Sequence, residues 1–178
     1  MKRSILALLL FAATTVAQAA ASYTFTVTAT LNFPSANPNT TPSISGTAPV
    51  VAQIVIVDPN RENFRIMVQA NGANLTSGTD TIAVGNITWT ATAAFTTACP
   101  VPPPPPCNVQ NAASITATAG TQTLTTSAVN SATGFDGRQT SATDTYTGTV
   151  THNFFLANSW LYTTGSYTQS LLFTFASP

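Results

Sequence analysis

The stretch SYTFTVTATLNF, residues 22–33, alternates apolar and polar residues without a break. Side chains on a β-strand point alternately to two faces, so this period of two predicts a strand with one buried and one solvated face. Threonine occupies most of the polar positions, in keeping with its preference for strands. The apolar face comprises Tyr23, Phe25, Val27, Ala29, Leu31 and Phe33.

Segments of the same kind recur along the chain. The apolar run Val50–Val57 predicts a strand that is buried on both faces. The segment 34–49 is rich in Pro, Asn, Ser and Thr and predicts an extended connector, whereas 130–143 predicts a polar loop. Alternation predicts further strands within 64–70, 87–95, 114–126, 146–154 and 167–175.

Short strands separated by turn signals, without apolar residues at helical spacing, predict an all-β protein. Seven to eight strands are expected, and we interpret them as an immunoglobulin-like antiparallel β-sandwich. The sequence divides into an N-terminal strand in residues 20–33 and one sandwich domain over 34–178.

The N-terminal residues have the order of a secretory signal peptide. Lys2 and Arg3 precede an apolar run that ends near Ala13, and Ala17-Gln18-Ala19 provides a small-residue cleavage site. This apolar run is too short to span a bilayer. We expect residues 1–19 to be removed, or 1–21 if cleavage follows Ala21, and the protein to reach the cell surface or exterior through the periplasm without a membrane span.

Few charges remain after the leader. Residues 20–178 contain three arginines, five carboxylates and no lysine, which gives a net charge of −2. Nucleic acids and anionic membrane surfaces bind proteins through many cationic contacts. The composition therefore excludes both from the expected partners.

The residues that usually carry catalysis are scarce. His152 is the only histidine, and it lies in phase with Val150 and Phe154, which predicts a core position. No nucleophile motif accompanies it, and one histidine with two cysteines cannot complete a zinc site from this chain. We therefore expect no enzyme activity, no cofactor and no metal.

Cys99 and Cys107 enclose a proline-rich run. Export favours a disulfide between them, although a fully extended proline run would separate their ends by roughly 25 Å, so that pairing requires a sharp turn. Two alternatives remain: the segment 99–107 is an exposed tip that contacts a partner, or the cysteines cross-link neighbouring subunits.

The last predicted strand opens with Gly165-Ser166-Tyr167, which is typical of the tyrosine corner at strand F of an immunoglobulin-like sandwich. Only three residues follow Phe175 in the sequence. If this strand is F, the sandwich lacks its last strand and leaves a groove along the sheet edge. An open edge of this kind accepts an extended strand from elsewhere.

These two end segments resemble those of bacterial fimbrial subunits assembled by the chaperone–usher route and of the related spore coat protein U-like secreted domains. The resemblance rests on the alternating segment 22–33 and on residues 162–175, where Gly165 is the fourteenth residue from the end. It implies a structural subunit that self-associates by strand complementation or pairs with a periplasmic chaperone. The implied donor side chains are Tyr23, Phe25, Val27, Ala29 and Leu31, and the implied acceptor edge contains Gly165, Tyr167, Leu171, Phe173 and Phe175.

A self-contained extracellular β-sandwich that binds carbohydrate or adheres to surfaces is the alternative. In that case residues 22–33 form the first strand of a complete sandwich. Trp160 and Tyr162 are the candidate residues for stacking on a glycan, whereas the phase of Trp89 predicts that it belongs to the core.

Overall fold

The computed structural model describes residues 21–27, 30–57, 59–98, 113–137 and 145–177, and most of them lie in β-strands. Thirteen strands occur in this part of the chain, with a 3₁₀ turn at Val84–Asn86 between the seventh and the eighth. They are β1 Ser22–Val27, β2 Thr30–Phe33, β3 Ser43–Ser45, β4 Val50–Val57, β5 Asn63–Ala70, β6 Asn74–Ser77, β7 Asp80–Ala83, β8 Ile87–Ala98, β9 Ser114–Ala117, β10 Gln122–Thr123, β11 Val129–Phe135, β12 Thr145–Ala157 and β13 Tyr167–Ala176.

The strands form two antiparallel sheets that pack against each other, which confirms the predicted all-β sandwich. The first sheet has the order β1-β4-β12-β8-β10, with β3 paired to the end of β12. The second has the order β7-β6-β13-β5-β11-β9, with β2 paired to β13. Among the described residues, no helix is long and apolar enough to cross a bilayer.

The N-terminal segment contributes to both sheets. The alternation predicts a single strand over 22–33, but β1 pairs with β4 in the first sheet and β2 pairs with β13 in the second. The alternation fixes which side chains point inward and carries no information on which sheet receives the strand. Splits of this kind, together with short pairings inside expected connectors such as β3, raise the strand count above the predicted seven to eight.

Two local predictions are wrong for identifiable reasons. β4 alternates between buried and partly exposed residues, with Gln53 exposed, because only one of its faces lies against the second sheet. The segment 130–143 contains a strand, β11, where a polar loop was expected. Gly134 lies opposite Phe64, whose ring occupies the space that a Cβ at Gly134 would need. The buried residues of β11 are Ser131, Ala132 and Gly134, so this strand lacks the apolar alternation by which the other strands are predicted.

The core lies between the sheets and is largest around β2, β8 and β12. Trp89 and Phe33 are fully buried there, which confirms the core prediction for Trp89. His152 is also fully buried, as its phase predicts. A second cluster around Ile54 and Phe64 lies beneath β1.

Candidate functional site

The start of β13 is paired on both sides. Thr168 pairs with Asn32 of β2 and with Thr76 of β6, so these two strands lie on opposite sides of β13. The backbone N–H of Asn71 donates to the carbonyl of Ser170 at 2.9 Å. The end of β5 therefore approaches β13 from the same side as β6, and β2 occupies the other side.

The second half of β13 is paired on one side only. Residues 171–176 pair with β5, and among the described residues no strand pairs with their opposite side. We call this side of residues 171–176 the free edge. Its inward side chains are Leu171, which is buried, and Phe173 and Phe175, which are half-buried. A free strand edge can form backbone hydrogen bonds with an added extended chain.

Strand β1 lies next to the free edge but belongs to the other sheet. The ring centroid of Phe175 is 5.1 Å from that of Tyr23 and 5.9 Å from that of Phe25. It is also 5.6 Å from the centroid of Phe64 on β5. The structure therefore brings predicted donor and predicted acceptor side chains into contact within one chain.

A buried carboxylate fastens β1 at this end of the sandwich. Asp136 follows β11 and is fully buried. Its Oδ2 accepts hydrogen bonds from Tyr23 Oη at 2.8 Å and from the backbone N–H of Asn60 at 3.1 Å, and its Oδ1 accepts one from the backbone N–H of Glu62 at 2.5 Å. A buried charge is tolerated only when it is hydrogen-bonded in this way. Asp136 thereby joins β1, the β4–β5 turn and the end of β11.

The Glu62 carboxylate extends this cluster to the end of the described chain. Its Oε2 accepts hydrogen bonds from Ser177 Oγ at 2.9 Å and from Tyr23 Oη at 3.4 Å. Burial, followed by the hydrogen bond and negative charge of Asp136, raises the pKa of Tyr23 far above its usual range, so the phenol remains a donor. Sequence reasoning missed this cluster, because 113 positions separate Tyr23 from Asp136 and no local pattern connects them.

A cleft opens at the other end of the sandwich, between residues 34–38 and 158–165. Its volume is about 380 Å³, within the range of small-molecule sites. Both predicted stacking residues line it: Trp160 is 67% exposed and Tyr162 is half-buried. All sixteen lining residues belong to the described part of the chain, and none of them is charged.

Asparagine side chains fix the segment 36–41 beside this cleft. Asn37 Oδ1 accepts a hydrogen bond from the backbone N–H of Asn39 at 2.9 Å, which makes a local turn. Asn158 Nδ2 donates to the carbonyls of Ala36 at 3.1 Å and Thr41 at 2.9 Å, so it ties both ends of the segment. Asn39 Oδ1 accepts a hydrogen bond from Trp160 Nε1 at 3.2 Å. None of these asparagines was singled out in the sequence.

Tyr167 has the hydrogen bond that a tyrosine corner requires. Its Oη donates to the carbonyl oxygen of Thr163 at 3.1 Å and lies 2.8 Å from Thr163 Oγ1. Gly165 packs so closely against Ser77 that a side chain there would collide with the serine hydroxyl. Of the predicted acceptor residues, Gly165 and Tyr167 thus shape the loop at the cleft, and the other three stand on the free edge.

Among the side-chain hydrogen bonds of the described residues, none joins His152 to a nucleophile or to an acidic side chain. Its Nδ1 lies 3.2 Å from the carbonyl oxygen of Val50, which can only accept, so this nitrogen carries the proton. Its ring packs against Trp89, Phe154 and Phe173. Burial lowers the pKa of His152 to about 4 and keeps the ring neutral at physiological pH.

Several predictions concern residues outside the described ranges. These are the signal peptide 1–19, Ala29 of the donor set, and the Cys99 and Cys107 pair with its proline run. Within the described ranges, no group of three or more His, Cys, Asp or Glu side chains could hold a metal ion.

Comparisons of this chain with protein-family models, with curated proteins and with solved structures found no match.

Proposed function

We propose that the protein is a secreted structural subunit of a pilus, fimbria or surface coat, and that its copies join by strand complementation. In this proposal, β1 of one copy, Ser22–Val27, leaves its own β4 and pairs along the free edge of the next copy. The free edge, residues 171–176, carries the proposal, because it presents unpaired backbone beside half-buried aromatic side chains.

The register of β2 supports the choice of donor. Leu31 lies opposite Gln169, and Thr30 lies opposite Ser170. A donor strand from another copy that paired with the free edge in this same antiparallel register would place Val27 opposite Phe173 and Phe25 opposite Phe175. Directly opposed residues in a sheet point to the same face, so the apolar side chains of donor and edge would be buried together.

The free energy of β1 is expected to be similar in its own sheet and on the free edge of a neighbouring copy. In its own sheet, β1 is an edge strand held by the β4 ladder and by the bond from Tyr23 to Asp136. On a neighbouring free edge it would form a similar ladder and cover Phe173 and Phe175. Burying such side chains completely stabilises by about 1.5 to 3 kcal/mol each relative to full exposure. Because these rings are already half-buried, the gain is smaller and comparable with the Tyr23 hydrogen bond that is lost.

A disulfide lock on β1 tests the proposal. Thr26 and Gln53 are directly opposed on β1 and β4, and both are exposed. The variant Thr26→Cys/Gln53→Cys is made in a background in which Cys99 and Cys107 are replaced by serine. We expect the oxidised variant to remain monomeric in light scattering and the reduced variant to assemble as the background protein does.

A second disulfide provides the matched control. Thr92 and Thr151 are opposed on β8 and β12, away from β1. The variant Thr92→Cys/Thr151→Cys should assemble equally well oxidised and reduced. A background protein that stays monomeric at high concentration would contradict the proposal, as would a β1 lock that assembles equally in both redox states.

A further inference from the structure

We infer that the cleft between residues 34–38 and 158–165 binds a neutral carbohydrate, with the Trp160 indole as its stacking face. The cleft is remote from β1 and Asp136: β12 runs along the sandwich from Thr145, which pairs opposite Val57, to Ala157 near the cleft. Binding there is therefore independent of strand complementation, and either activity can exist without the other.

The exposure of Trp160 is the first observation in favour of this site. With 67% of its surface in solvent, it lies in a turn whose next residue, Leu161, is 91% exposed. An exposed indole offers a large, rigid contact area at a low cost in conformational entropy, which suits it to ligand binding. Tyr162 adds a second aromatic ring to the same cleft.

The second observation is that the indole is held in place before any ligand binds. Trp160 Nε1 donates to Asn39 Oδ1, and Asn39 is itself fixed by Asn37 in a turn whose ends are tied by Asn158. An aromatic face held in this way loses little conformational entropy on binding.

The chemistry of the lining selects the class of ligand. Hydroxyl and amide groups stand beside the two rings, and none of the lining residues is charged. Sugars combine an apolar C–H face, which stacks on an indole, with hydroxyl groups that pair with amides and hydroxyls. The absence of cations among the lining residues disfavours phosphates and uronates, which need charge-assisted hydrogen bonds. The hydroxyl- and amide-bearing residues of the lining are Ser35, Asn37, Asn158, Ser159, Tyr162, Thr163, Thr164 and Tyr167.

Calorimetric titration of the mature protein tests this inference. Cellotetraose, maltotetraose and chitotetraose are the neutral probes, tetragalacturonate is the anionic probe, and a decamer of proline is the peptide probe. We expect at least one neutral probe to bind with a blue shift of the tryptophan emission, which reports Trp160 because Trp89 is buried. The anionic probe and the peptide should bind about tenfold more weakly or not at all.

Three variants locate the binding. Trp160→Ala should weaken it at least about tenfold, and Asn39→Ala about threefold, because the ring remains but is no longer oriented. Leu161→Ala is the matched control: Leu161 is exposed and adjacent but does not line the cleft, so its loss should leave affinity unchanged. Circular dichroism confirms that each variant keeps the fold.

Three results would overturn the inference. One is the absence of binding to all three neutral probes at millimolar concentration. Another is binding that Trp160→Ala does not weaken. The third is tighter binding of the proline decamer than of every sugar, which would assign the cleft to an extended peptide instead.

Discussion

The two halves of the N-terminal segment have the same alternating sequence and different environments. In β2, Leu31 and Phe33 are 1% and 0% exposed. In β1, the corresponding inward residues Tyr23, Phe25 and Val27 are only half-buried. Alternation thus determines the inward face, while the strands that cover this face determine how deeply each residue is buried.

The difference follows from the neighbours of each half. β2 pairs with one side of the start of β13, whose other side pairs with β6, and the side chains of β2 enter the largest core cluster. β1 pairs only with β4 at the margin of its sheet, beside the free edge. We therefore regard β2 as the anchor of the segment and β1 as the half that can open separately.

The largest expected effect on the free energy of unfolding comes from truncating one phenylalanine in β2 and one in β1. Phe33→Ala should lower the free energy of unfolding by about 3 to 5 kcal/mol, the usual cost of removing a fully buried phenylalanine. Phe25→Ala should cost about 1 to 2 kcal/mol, since Phe25 already contacts solvent. Urea denaturation monitored by tryptophan fluorescence measures both. Equal losses would show that β1 is as firmly anchored as β2.

Much of the fold could be predicted because its strands alternate. The inward positions of β5, β8 and the last two strands follow from period two, and the positions of Trp89 and His152 follow from their phase within it. Each of these strands has a solvated face, so the polar residues mark it. This alternation is a property of each segment's own sequence, so it does not depend on contacts with the remainder of the chain.

The remainder depends on contacts between distant segments. The change of sheet between β1 and β2 has no local signature, and the packing of the Phe64 ring against Gly134 of β11 joins residues that are far apart in the sequence. The bond from Tyr23 to Asp136 likewise joins opposite parts of the chain. At the cleft, the sequence identified Trp160 and Tyr162 as aromatic, but the asparagines that orient Trp160 become evident only in the fold.

Acid should destabilise the folded sandwich through the buried His152. Its pKa is about 4 in the folded protein and about 6.5 in the unfolded chain, so the unfolded state binds more protons between these values. His152 therefore leaves the free energy of unfolding unchanged above about pH 6.5 and lowers it by about 3 kcal/mol as the pH drops to 4. Below pH 4 this group causes no further loss. Urea denaturation at a series of pH values measures this loss.

The variant His152→Gln isolates this contribution. Its amide N–H can still donate to the carbonyl of Val50, but it does not titrate. We expect the variant to be less stable at pH 7 and to lose about 3 kcal/mol less than the natural protein between pH 6.5 and 4. Parallel pH profiles for the two proteins would show that His152 does not control this transition.

The smallest expected effect comes from removing the hydrogen bond between Tyr23 of β1 and Asp136. Tyr23→Phe removes the hydrogen bond to Asp136, which keeps its two backbone donors, and should cost about 1 to 2 kcal/mol. The loss should be local, because β1 is an edge strand that can open while β2 stays paired. Hydrogen exchange should therefore accelerate in Ser22–Val27 and remain unchanged in Thr30–Phe33.

Tyr167→Phe is the matched substitution at the anchored end. It removes the hydrogen bond to Thr163 and should cost a similar amount, about 1 to 2 kcal/mol, the usual contribution of one hydrogen bond. Here the faster exchange should appear at the start of β13 and in β2, since Tyr167 lies opposite Phe33. If both substitutions accelerated exchange in β1 and β2 alike, the N-terminal segment would open as one unit. Strand complementation would then have to move residues 22–33 together, which requires withdrawing Phe33 from the core and makes exchange between folded copies slow.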